Sequence, residues 1–123
     1  MPYTVRETKT YTQPQEQVYQ AALKAVAGLQ GKVLAQDAAA GTIKGEFDKK
    51  IHGKVLGDRS QILIAISGSN ADARSVAIEA YPINPVGQKL MFGARKGVVP
   101  TVVSWFWAHM DHHLGSTAKS GGD

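Results

Sequence analysis

Apolar and polar residues alternate from Tyr3 to Tyr11. Tyr3, Val5, Glu7, Lys9 and Tyr11 fall on one side, and Thr4, Arg6, Thr8 and Thr10 on the other. Threonine and tyrosine suit extended backbone, so this run predicts a first strand, and charge on both faces places it near a sheet edge. The period then changes. Val18, Ala22, Ala25, Val26 and Leu29 recur at helical spacing, Pro14 sits where a first turn tolerates it, and Glu16 complements the positive end of the helix dipole. Gly31 is expected to end this helix in the left-handed conformation. The alanines of the stripe imply close approach to a sheet.

Short extended runs follow. Residues 32–36 and 42–49 flank a turn over 37–41, with Ile43, Gly45 and Phe47 sharing one face. Residues 52–58 carry Gly53 and Gly57 and read as a connection. In 61–67, Ile62, Ile64 and Ile66 alternate with Leu63 and Ala65. In 75–81, Val76, Ile78 and Ala80 do the same with polar partners, and the turn-forming cluster 68–72 joins the two runs as an antiparallel hairpin. Pro82 and Pro85 are expected to end the sheet. A linking segment, 84–97, leads to a second helix over 98–114. Its apolar stripe is Val99, Val102, Val103, Phe106, Met110 and Leu114, with Pro100 in the first turn.

The element order is therefore β-α-β-β-β-β-α. It predicts one α+β domain over residues 1–114, with a four- to five-stranded antiparallel sheet covered on one face by two helices, and a flexible tail at 115–123. Over residues 3–114 this order, with the helix start Pro14-Gln15-Glu16-Gln17-Val18-Tyr19, resembles the helix-grip plan and the single half domain of the TATA-binding protein, a plan shared by several small bacterial families of unknown function. The resemblance implies a shape. Members of the plan bind nucleic acid, small molecules or other proteins, and it assigns no role to any residue here.

Composition acts mainly by exclusion. The 123 residues are 43% apolar and 20% charged, which fits one globular domain and rules out wholesale disorder. The absence of cysteine removes disulfides, thiolate metal sites and cysteine nucleophiles, and fits a reducing compartment. The start of the chain has no apolar leader. Its most apolar stretch, 98–108, is far shorter than the roughly 20 residues that span a bilayer, so a cytoplasmic protein without a membrane span is expected.

Charge adds a location. Fourteen Lys+Arg against ten Asp+Glu give a net +4, and the stretch from Glu79 to Asp111 contains no acid between its ends. Within it, Lys89, Gly93, Arg95, Lys96 and Gly97 form a basic, glycine-rich segment just before a helix N-terminus, where an anion or ligand is favoured. Neither the phosphate-loop nor the dinucleotide spacing is present, and an exposed loop with tight turns is the preferred reading. His109 and His113 stand one helical turn apart, a spacing that suits a metal. Asp111 points to the opposite side and a third ligand is missing, so no metal or cofactor is expected. Trp105 and Trp107 lie about 160° apart around the helix, so core packing suits one of them and both at once less comfortably. Phe47, Phe92, Trp105, Phe106, Trp107 and Met110 are therefore the candidates for a pocket or interface.

Catalysis finds no local signature. There is no Gly-x-Ser-x-Gly, and Glu46, Asp48 and Glu79, which the sheet could bring together, read as solvated surface acids. The chain is thus expected not to be an enzyme. It is expected to be a non-catalytic binding or protein-interaction module able to self-associate. The alternative is a carrier of a small apolar or anionic ligand held between sheet and C-terminal helix, with Lys89 or Arg95 at its head. Weak nucleic-acid binding through the basic loops ranks last, because aromatic and basic residues do not interleave.

Overall fold

A computed structural model describes residues 4–55, 59–70, 73–83 and 98–114. Strand β1 (Val5–Tyr11) precedes helix α1 (Gln15–Gly28), strands β2 (Lys32–Asp37) and β3 (Thr42–Phe47), and a ribbon of β4 (Lys50–Ile51) and β5 (Lys54–Val55). The long strands β6 (Arg59–Asn70) and β7 (Ala73–Ile83) and helix α2 (Val98–His113) complete the order. Five strands form one antiparallel sheet in the order β1-β7-β6-β3-β2, and β4 pairs with β5 apart from it. The expected α+β architecture is observed, with β1 at an edge as its two-faced charge implied.

The register shows why one face of the sheet is buried. Ile43, Ile64, Ile78 and Glu7 lie opposite one another across β3, β6, β7 and β1, as do Gly45, Ile62, Ala80 and Val5 in the next inward row. The rows between them, Thr42-Ala65-Ala77-Thr8 and Lys44-Leu63-Glu79-Arg6, face outward. Both helices pack on the isoleucine face. Val18, Ala22, Ala25 and Val26 of α1 and Val102, Phe106 and Met110 of α2 are fully buried there, together with Phe47 and Ile62. A Cβ on Gly45 would stand 3.2 Å from Val26 Cγ1, so α1 rides directly over that strand.

The end of α1 departs from expectation. Gln30, not Gly31, adopts the left-handed conformation, at φ 61°. Gln30 N–H donates to the Ala27 carbonyl and Gly31 N–H to that of Val26, both at 2.9 Å, which is the Schellman pattern with glutamine in the left-handed place. Gly31 is needed for space instead, since a Cβ there would meet the Phe47 ring at 2.6 Å.

Three further boundaries differ. Strand β7 runs through Pro82, which pairs with Ser60 and lies beyond Ala80, the last residue of β7 that β1 pairs with among the described residues, an edge position where a missing N–H is tolerated. Strand β6 also extends into the 68–72 cluster that was expected to form the turn, reaching Asn70, and β7 begins at Ala73. The stretch 52–58, expected to be a connection, carries the turn and second strand of the β4–β5 ribbon, turned by His52 (φ 50°) and Gly53 (φ 82°), a mirror-type hairpin turn. Among the described residues no helix is long and apolar enough to cross a membrane.

Candidate functional site

Helix α2 has two flanks, and each tryptophan serves one. On the β1 side, Trp107 is buried and donates its indole N–H to Glu7 Oε1 at 2.7 Å, while Lys9 Nζ lies 5.1 Å from the centre of the indole. Tyr11 donates its hydroxyl to Asp111 Oδ1 at 2.9 Å, and Lys9 Nζ is 3.7 Å from Asp111 Oδ2. Burial, then the Asp111 carboxylate, raises the Tyr11 phenol well above the usual tyrosine range. The inward charges of β1 are therefore matched residue by residue to α2. They fasten the helix, and they account for Asp111 pointing away from the histidines.

On the other flank, Trp105 remains half-buried and lines a cleft of about 360 Å³ with Leu29, Ile51, His52, Lys54, Ala108 and His109. Local chain geometry builds this cleft from three elements. Leu29 ends α1 and is 2% exposed, and Ile51 of the ribbon is fully buried, so the floor is aliphatic. The left-handed His52 swings its ring back onto α1, where Nε2 donates to the Gly28 carbonyl at 2.6 Å. His52 N–H donates to Gln30 Oε1 at 2.8 Å, which fastens the same turn a second time. With Nε2 donating, the neutral ring keeps Nδ1 as its acceptor.

His109 comes from the facing side. A Cβ on Gly28 would lie 2.7 Å from both His109 Cε1 and Nδ1, so the glycine at the end of α1 is what admits this imidazole. The ring stacks obliquely 6.1 Å from that of His113. Burial, then the neighbouring His112, Lys24 and His109, lowers the pKa of His113. Among the described residues no acid lines the cleft, and the charged or titratable side chains there are His52, Lys54 and His109. Such a site can hold a flat apolar body against Trp105, with hydrogen-bond donors and imidazoles at its rim.

A larger concavity, about 730 Å³, lies on the outward face of the sheet. It exists because Thr8, Ala35, Thr42, Ala65 and Ala77 are small, and no aromatic residue lines it. Its charges are partly spent, since Arg6 pairs with Glu79 at 3.4 Å. At the other end of that face Glu46 accepts from Arg59 at 3.2 Å and from Gln61 at 3.1 Å, and Gln61 accepts from Tyr81 at 2.9 Å. Glu46 and Glu79 therefore engage separate cations. Size alone favours the outer hollow, but the convergence of an indole, two imidazoles and a lysine on an apolar floor favours the smaller cleft.

The residues singled out in the sequence separate accordingly. Phe47, Phe106 and Met110 are wholly buried and pack in the core, Trp107 is buried against β1, and Trp105 lines the cleft. His109 lines the cleft as well, and His113 lies beside it. Among the described residues no three His, Asp or Glu side chains come together as a metal site. Phe92 and the basic segment with Lys89, Gly93, Arg95, Lys96 and Gly97 lie outside the described residues, as does the tail at 115–123. Leu29, Ile51, Lys54 and Ala108 were not anticipated. They carry no motif, and only the ribbon brings Ile51 and Lys54 to α2.

No protein-family model and no curated protein matches the sequence. Solved structures do share its shape. Ara h 8.0201 superposes with a TM-score of 0.60 at 10% identity, covering 94% of this chain and 99% of that one. The di-domain aromatase/cyclase StfQ of the steffimycin biosynthetic pathway gives 0.57 at 9% identity, over 94% of this chain and 45% of its own. A protein from Mesorhizobium loti gives 0.56 at 15% identity, covering 93% and 98%. The fold is helix-grip-like. This chain spans about half the length of the di-domain proteins it matches, 45% of StfQ and 47% of a second, BexL. The likeness corrects one expectation. The chain was read as a non-enzyme because local catalytic motifs are missing, yet aromatase/cyclases share its architecture, so the missing motifs do not place it outside catalysis.

Proposed function

We propose that this protein is a small-molecule-binding helix-grip domain whose ligand lays a planar apolar group in the cleft between α2 and the β4–β5 ribbon. The observation that carries this reading is Trp105. The other large apolar side chains of α2, from Val102 to Met110, are committed to the core, whereas Trp105 stays half-buried over an aliphatic floor. Rigid aromatic surface left partly open beside convergent polar groups is the usual composition of a ligand site. The shared fold of biosynthetic aromatase/cyclases supports a small organic ligand over a macromolecular one. Imidazole can serve as a general acid or base, and His109 presents one to the cleft, so conversion of a bound ligand is compatible with the site.

The test uses a neutral probe, 2-naphthylmethanol, followed by amide and indole NMR shifts. Perturbation of the Trp105 indole N–H, with Trp107 unchanged, and loss of binding in a folded Trp105→Ala variant is the expected result. Shifts that map to Ala65, Ala77 and Leu63 instead would move the site to the outer sheet face and overturn the proposal.

A further inference from the structure

The cleft also carries a charge preference that its apolar floor does not require. We infer that its ligand is an amphipathic organic anion, with an aromatic or aliphatic body against Trp105 and Ile51 and a carboxylate or equivalent anionic oxygen group directed to Lys54 and His109. This inference rests on the small-molecule reading and names its ligand class.

Three observations support it. Among the described residues, every charged or titratable one lining the cleft is basic: His52, Lys54 and His109. Those are drawn from two separate elements, the ribbon and α2, so no single helix accident explains them. The groups that flank the cleft continue the pattern, because after burial it is His112, Lys24 and His109 that lower the pKa of His113, so these basic groups gather around it. Asp111, the acid that α2 carries beside these histidines, is turned to Tyr11 and Lys9 on the opposite flank.

One feature opposes the inference. The cleft sits at the C-terminal end of α1, where the helix dipole places roughly half a negative charge. That end is already occupied. The Gly28 carbonyl accepts from His52 Nε2, that of Ala25 from Leu29 N–H, that of Val26 from Leu29 and Gly31 N–H, and that of Ala27 from Gln30 N–H. A whole lysine charge with a neighbouring imidazole outweighs a partial charge so satisfied. Lysine and imidazole also supply the charge-assisted donors that a half-buried carboxylate needs in place of water.

His52 and His109 hold different places in this arrangement. His52 Nε2 is spent on Gly28, so His52 is a positioning residue that sets the ribbon against α1. His109 presents its ring to the cleft because Gly28 has no side chain.

The experiment titrates the full-length chain by calorimetry with three probes of one size: 2-naphthoate, 2-naphthylmethanol and 2-naphthylmethylammonium. The expected order is naphthoate at least tenfold tighter than the alcohol, with the ammonium weakest. Lys54→Gln should lower naphthoate affinity far more than alcohol affinity and so remove most of the naphthoate advantage, and His109→Gln should reduce that advantage in part. Equal affinities for acid and alcohol, or preference for the ammonium, would overturn the anion inference while the small-molecule reading stood. No heat and no NMR shift with any of the three at millimolar concentration would sink both.

Discussion

Gly28→Ala separates the folding role of the cleft from its binding role. Alanine stabilises a helix interior by about 1 kcal/mol over glycine, and less in a last turn. Against that, the new Cβ would lie 2.7 Å from two atoms of the His109 ring, where 3.4 Å is ordinary contact, so the ring must give by roughly 0.7 Å. It is the far end of a half-buried side chain, and turning it off its rotamer costs about 0.5–1.5 kcal/mol. The two effects nearly cancel. Urea unfolding followed by circular dichroism should therefore show a change within about 1 kcal/mol, while affinity for 2-naphthoate falls several-fold because His109 has moved. Gly41→Ala is the contrasting case. Gly41 has φ +75°, and its Cβ would stand 2.4 Å from the Ile66 carbonyl oxygen, which belongs to the backbone of β6 and cannot turn aside. The left-handed penalty is about 1–2 kcal/mol. The 2.8 Å bond from Ile66 N–H to the Gly41 carbonyl, worth about 1 kcal/mol more, is also at risk. A loss of about 2–3 kcal/mol follows from those two principles. If Gly28→Ala costs as much as Gly41→Ala, or leaves naphthoate affinity untouched, the account of how Gly28 and His109 share space is wrong.

Other expectations follow from the same packing. Phe47→Ala should cost about 3–5 kcal/mol by denaturant titration, as for other fully buried aromatics. Gly31→Ala should be harmful in the parent and less so in the Phe47→Ala background, where only the Val26 Cγ1 contact at 2.9 Å remains tight, a coupling that a double-mutant cycle reads directly. Tyr11 ionises in the fold well above the pH near 10 at which an unfolded tyrosine does, so its contribution is complete below pH 10 and is lost as pH rises beyond it. Thermal unfolding between pH 8 and 11 should show a steeper alkaline decline for the parent than for Tyr11→Phe, which should also lose about 1 kcal/mol at neutral pH. His113 has the opposite sign. Its pKa is lowered from 6.5 in the fold, so stability is present above that value and declines as pH falls below it. His113→Gln should flatten the acid limb of the same curve, and an unchanged slope between pH 7 and 5 would count against the cluster.

What was legible in the sequence depended on periodicity. Val18, Ala22, Ala25 and Val26 announced α1, and the alternating isoleucines of β6 with Val76, Ile78 and Ala80 announced the hairpin, because each pattern is fixed by one buried face. Alternation marked the inward positions, but the strand order β1-β7-β6-β3-β2 was not legible beyond the β6–β7 hairpin, because alternation says which face a residue takes and not which strand lies beside it. The end of α1 was less readable, since Gly31 serves to leave room for the Phe47 ring and the left-handed turn fell on Gln30. The cleft was hardest. Its lining draws on residues from 29 to 109, and no local rule connects Leu29 with Lys54 or His109. The 160° separation of the tryptophans was the usable signal, since it favoured different surfaces for the two indoles, and they take them.

The ribbon has one more consequence. It forms no ladder with the five-stranded sheet and is attached through Ile51, His52 and Gln30. The wall that shapes the cleft is therefore insulated from the register that specifies the fold. Sequence changes at the His52–Gly53 turn can widen, narrow or recharge the site without shifting any inward row, so related chains can diverge in ligand choice while keeping the same scaffold.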